Sequence, residues 1–86
     1  MTFNFPRTTF VNNGGIINQL RHLQTEVNES QEAALTPDFQ KTAEELMDVL
    51  HSAETALRIM EEFWGVNLHQ VRRDVERKNR ERSYYD

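Results

Sequence analysis

Two pairs of acidic side chains share the same three-residue step: Glu26 with Glu29, and Glu45 with Asp48. On a helix, that step brings both members of a pair to neighbouring positions on one face. Two such helices side by side would gather four carboxylates, a cluster that repels itself unless protons or cations neutralise it. A hard divalent cation with oxygen ligands, chiefly magnesium, is the usual partner when phosphate is the substrate, because it bridges protein and phosphate oxygens. A Glu-x-x-Glu pair alone is more often a solvated helix face than a site. The ordered combination says more, and Glu45-Asp48 is the only Glu-x-x-Asp in the chain.

The pattern around these residues predicts the helices that must position them. A first long helix should begin just after Gly14-Gly15 and end near Ala34 or Leu35, with Ile16, Leu20, Leu23, Val27 and Ala34 recurring along one face. Thr36-Pro37-Asp38 reads as a start signal: the threonine caps, the proline suits the first turn and the aspartate favours the positive helix end. The central helix then carries Phe39, Ala43, Leu46, Leu50, Ala53, Leu57, Met60 and Trp64 in alternating steps of four and three, a continuous apolar seam. Val49, Ala56 and Phe63 widen it beyond what one short helix can cover. Gly65 is the expected stop, and Asn67 the expected cap of a last helix bearing Leu68, Val71 and Val75. Glu45 and Asp48 lie off the seam, so a site there requires another helix over that second face, expected from a partner chain. Residues 1–12 predict an irregular arm packed by Phe3, Phe5 and Phe10, residues 13–82 a helical domain, and 83–86 a flexible end.

At 86 residues, the chain forms at most one domain, and without cysteine it has neither disulfides nor a thiolate zinc site to support a small core. Self-association is the remaining route, predicting a homodimer or a dimer of dimers. No signal-peptide pattern or membrane-length apolar run is visible, which predicts a cytoplasmic protein without a membrane partner. Residues 1–70 hold four basic and ten acidic side chains, and residues 71–86 six basic and four acidic. An acidic body with a basic tail suits carboxylates that gather a metal and cations that receive phosphate. Arg72, Arg73, Arg77, Lys78, Arg80 and Arg82 would also serve a nucleic-acid-binding regulator, but Asp74, Glu76 and Glu81 interrupt the run and disfavour that partner.

Glu26-x-x-Glu29, an interval of fifteen residues containing a helix break, and Glu45-x-x-Asp48 together resemble the ExxE...ExxD signature of the MazG-like nucleoside triphosphate pyrophosphohydrolases. The run Trp64-Gly65-Val66-Asn67-Leu68, with Val71, Val75 and then Lys78-Asn79-x-x-Arg82-x-Tyr84, looks like that family's closing segment. The resemblance implies an all-α fold, an antiparallel helix bundle completed by oligomerisation. It also implies magnesium-dependent cleavage of a nucleoside triphosphate to the monophosphate and pyrophosphate. Glu26, Glu29, Glu45 and Asp48 would then be the metal-holding catalytic carboxylates, with Lys78, Asn79 and Arg82 approaching the nucleotide. Ser30 stands where the family often has leucine. Glu29-x-x-Glu32 offers a register one step later, and Leu23, three residues before Glu26, favours the earlier one. A catalytically silent helical regulator is the alternative from another class.

The remaining candidates read more plainly. His51 follows Asp48 by three residues, but magnesium prefers oxygen ligands and no second histidine stands at helix spacing. His22 and His69 read as surface residues, and Trp64, Met60 and Phe63 as core rather than base-stacking groups. Lys41 and Arg58 stand away from the acidic pair with no role assigned.

Overall fold

The structure is a computed structural model that describes residues 2–13 and 15–86. It is all-helical, with no strand among the described residues: α1 spans Phe10–Asn13, α2 Ile16–Ala34, α3 Phe39–Trp64 and α4 Leu68–Glu81. Gly14, one glycine of the predicted break, and Met1 lie outside the described residues. No helix is long and apolar enough to cross a membrane among the residues described.

The helix boundaries follow local chemistry. Gly15 precedes α2 in an extended conformation and supplies no side-chain cap. Between α2 and α3 the capping residue is Asp38, not the predicted Thr36: the Asp38 carboxylate accepts from the Lys41 N–H at 2.9 Å. The Thr36 hydroxyl instead donates to the Ala33 carbonyl at 2.7 Å and accepts from the Asp38 N–H at 3.3 Å, bracing the turn. Gly65 ends α3 in the left-handed region, at φ 65°, as a C-terminal glycine should. Asn67 caps α4, its side chain accepting from the Gln70 N–H at 3.1 Å. At the other end of α4, Ser83 at φ 61° lets the Tyr84 N–H reach the Asn79 carbonyl at 2.9 Å, closing the helix with a Schellman arrangement.

Helices α2 and α3 form an antiparallel hairpin whose interior differs from the predicted seam. The buried positions of α3 are Glu45, Ser52, Glu54, Thr55, Ala56 and Ile59, and α2 buries Gln19, Ser30 and Ala33. Predicted seam residues face outward: Phe39 is 83 % exposed, Leu46 55 % and Trp64 66 %. The more shielded Ala53, Leu57 and Met60 join Ile16, Leu20 and Leu23 in an apolar groove along one edge of the hairpin. Periodicity identified α3 as a helix and its apolar stripe, but α2 packs on the neighbouring, polar stripe. Within the hairpin, Gln19 donates from its amide to the Ser52 hydroxyl at 3.0 Å and the Ser52 carbonyl at 3.1 Å, so this interface is hydrogen-bonded rather than oily.

The expected irregular arm of residues 1–12 is shorter than predicted, since Phe10–Asn13 form α1; residues 2–9 are irregular yet tightly fastened to α3. The buried Glu54 carboxylate accepts from the backbone N–H groups of Asn4 and Phe5 at 2.9–3.0 Å. Arg58 lies 4.2 Å from the Phe3 ring centroid and donates to the Phe5 carbonyl. Arg7 pairs with Glu62 at 3.0 Å. Phe3 and Phe5 thus pack as expected, while Phe10 is half exposed, its ring 5.6 Å from that of His22. Val11 of α1 is fully buried. Helix α4 stands largely clear of the hairpin: the radius of gyration is 14.7 Å, against about 12 Å for a compact chain of this length.

Candidate functional site

The register of the hairpin sets the site. Gln19 meets Ser52, and seven residues further along α2 and seven back along α3 lie Glu26 and Glu45. Two helical turns on each helix therefore bring the acidic pairs opposite one another. One oxygen each from Glu26, Glu29 and Glu45 lie within 4.8 Å of one another. Glu32, the residue of the alternative register, is not in this group. Asp48 stands one turn along α3 from Glu45; it lines a cavity with Glu26, and its charge acts on Glu29. The covering helix that Glu45 needs comes from the same chain, correcting the expectation that a partner must supply it.

Glu26 and Glu45 each have one basic neighbour. His22 Nε2 lies 3.1 Å from Glu26 Oε1, and Lys41 Nζ 2.9 Å from Glu45 Oε1. Lys41 is therefore a direct partner of the acidic pair rather than a distant bystander, and its hydrogen bond to Glu45 raises its pKa. His22, read from sequence as a plain surface residue, shares its carboxylate with the cluster. Glu45 is 8 % exposed, and its Oε2 is buried with no hydrogen-bond partner. The carboxyl of Glu29 has its pKa raised by partial desolvation and then by the charges of Glu26 and Glu45.

These observations suit a hard divalent cation. A buried, unpaired carboxylate oxygen is costly unless something binds it, and an oxygen-only donor set within this span matches magnesium or calcium rather than zinc. The pKa of Glu29 is raised first by desolvation and then by the negative charges of Glu26 and Glu45, and a cation would relieve the second of these.

The other sequence candidates are placed elsewhere. Lys78, Asn79 and Arg82 belong to the last turn and cap of α4 and line neither cavity beside the carboxylates. Within one chain the fold does not bring them to the cluster. Arg72 and Arg77 are committed to Glu76 and Asp74 at 3.0 and 3.3 Å. His51 is held by stacking on Phe5, with centroids 4.6 Å apart, and its Nε2 lies 3.4 Å from the Pro6 carbonyl. Phe63 and Trp64 are exposed and Met60 half-buried, so the reading of all three as core does not hold within one chain. Ser30 is buried and donates to the Val27 carbonyl at 2.7 Å.

Sequence reasoning missed the fastening of the arm. Glu54, Arg58 and Glu62 stand at steps of four, alternating in charge on one face of α3, a pattern that reads as pairing within the helix and does not point to the arm. The arm, α1, α2 and α3 line a half-open cleft of 190 Å³, with Thr8, Glu26 and Asp48 among its walls. No family model matches the chain, and neither a curated protein nor a solved structure matches it.

Proposed function

We propose that this chain is a magnesium-dependent nucleoside triphosphate pyrophosphohydrolase of the MazG-like type. The observation that carries the reading is the convergence of Glu26, Glu29 and Glu45 within 4.8 Å, with the buried Glu45 Oε2 left unpaired. Three of the four carboxylates of the ordered motif thus lie together, with Asp48 one turn along α3 from Glu45 and outside that group. A bound magnesium ion would supply charge neutralisation for the triphosphate and the departing pyrophosphate. Glu26, Glu29 and Glu45, with Asp48 nearby, would hold the ion, and one of these carboxylates would orient or deprotonate the attacking water. Phosphoryl chemistry of this kind is positioning and electrostatics, so it needs no nucleophilic side chain.

The proposal includes a homodimer or a dimer of dimers. The apolar stripe of α3 and the projecting α4 support it, because both leave apolar side chains in water that a second copy would cover. In that assembly Lys78, Asn79 and Arg82 contact the nucleotide, and Lys78 steadies a phosphate group. The nucleic-acid alternative draws less support, since the acidic residues of α4 already engage two of its five basic side chains.

The test is a panel of ribo- and deoxyribonucleoside triphosphates, including deaminated ones, assayed for pyrophosphate with and without magnesium. Release from at least one substrate, abolished by chelation and by Glu45→Ala or Asp48→Ala, is expected. No release from any substrate, or full turnover in both variants, overturns the reading. Glu26→Ala should be inactive and Glu32→Ala active; the reverse result would move the site to the later register.

A further inference from the structure

Helix stability does not explain where Lys41 stands. It lies in the first turn of α3, three residues after the Asp38 cap, where the helix dipole disfavours a cation. Its partner Glu45 is four residues further on, and lysine before glutamate is the weaker order for such a pair. Yet the ammonium approaches Glu45 Oε1 to 2.9 Å. The carboxylate cluster supplies the reason: one oxygen each of Glu26, Glu29 and Glu45 lie within 4.8 Å of one another, and carboxylates so close repel one another unless a positive charge is near. His22, the basic neighbour of Glu26, carries a charge only when protonated. Lys41 is the permanent cation.

The two ends of this contact are held unequally. The Glu45 side chain is 11 % exposed and fixed by the hairpin, whereas that of Lys41 is 56 % exposed. An exposed ammonium on a flexible stem leaves an ion pair for water at little cost. Lys41 also borders an open cleft of 510 Å³ whose walls include Glu29, Glu32, Asp38 and Glu45, and it is the only basic side chain among the described residues that line it. The ammonium thus has room to withdraw without leaving acidic surroundings. A divalent cation brings twice the charge to the same oxygens, competes with the ammonium for Glu45, and is repelled by it for as long as it stays.

We infer that Lys41 is the site's own counter-cation, holding Glu45 until a divalent ion arrives and then giving way to it. Acting through Glu45, it is a positioning residue that sets the affinity of the cluster for metal. The inference rests on the reading of the cluster as a metal site, and not on the reaction proposed there.

The test uses manganese as a paramagnetic probe, titrated at low ionic strength into the full chain and followed by EPR. Lys41→Met and Lys41→Gln should each bind it about tenfold more tightly, the effect of removing one charge roughly 6 Å from a divalent ion at the dielectric of water. Lys41→Arg should match the parent, and so should Arg80→Met, which removes a charge from the projecting α4. Magnesium should shift the Lys41 Nζ resonance of the parent chain in NMR and leave it unmoved in Glu45→Ala, a response that a merely structural pair does not give. Unchanged or weaker manganese binding in both Lys41→Met and Lys41→Gln, or an Nζ resonance indifferent to magnesium, overturns the inference while Glu45-dependent binding by the parent keeps the metal site. No manganese binding by any of these chains, or binding undiminished in Glu45→Ala, overturns both. Tighter binding in the Lys41 variants without pyrophosphate release from any triphosphate retains the counter-cation and rejects the enzymatic reading.

Discussion

At Glu29, partial desolvation and the charges of Glu26, Glu45 and Asp48 hold the carboxyl pKa above its ordinary value of 4.5. Between that value and the raised one, the folded chain keeps a proton that the unfolded chain has lost. Its contribution to stability is therefore complete below the ordinary pKa and is lost as pH rises through the folded value. In chelator, denaturant unfolding across this window should show the parent chain losing stability relative to Glu29→Gln; parallel curves would uncouple Glu29 from its neighbours. Magnesium should act in the opposite sense above the window, stabilising the parent by about 1.4 kcal/mol at tenfold excess over its Kd and Glu45→Ala by much less. The acidic pairs were legible in the sequence because an i,i+3 step says which side chains are neighbours. So in principle were Lys41–Glu45 and His22–Glu26, each an i,i+4 pair. The role of Glu54 was not, since its partners are the backbone amides of Asn4 and Phe5, fifty residues away with no side-chain chemistry to announce them.

Among the elements, the helices were readable and their faces were not. Capping chemistry is local, so α2, α3 and α4 begin and end close to where Gly15, Gly65 and Asn67 said they would; the shift from Thr36 to Asp38 moves one cap by two residues. Which stripe of α3 meets α2 is a tertiary matter. An apolar seam identifies a surface that wants covering without saying by which helix, and here a hydrogen-bonded polar stripe took the neighbour. Two glycine variants test the local account. Gly65→Ala meets no atom within 4 Å yet forces a side chain into positive φ, so thermal unfolding should show a loss of about 1–2 kcal/mol. Gly15→Ser, also in open space and in extended backbone, should gain about 0.5–1 kcal/mol by supplying the missing cap and stiffening the unfolded chain.

For the molecule as a whole, the buried set among the described residues is small and mixed, with Val11, Ala33, Ala56, Ile59 and Leu68 beside six polar or charged residues. Meanwhile Leu46, Leu50 and Trp64 stand in water on one helix. A second copy covering that stripe should make sedimentation report a dimer or tetramer at micromolar concentration. Leu50→Glu should yield a monomer of unchanged helicity, because the position is already exposed within the chain. A well-folded monomer of the parent chain would remove the assembly and with it the proposed contacts of Lys78, Asn79 and Arg82. The arm adds an asymmetry in time. Its partners Glu54, Arg58 and Glu62 lie about fifty residues downstream, so during synthesis at ~5–20 residues per second the arm waits about 3–10 s for the helix that receives it. Over that interval Phe3 and Phe5 have nothing to pack on, while the α2–α3 hairpin, built from nearer contacts, can close first. The wall that carries Thr8 therefore leaves the ribosome before α3 and reaches its place only after it.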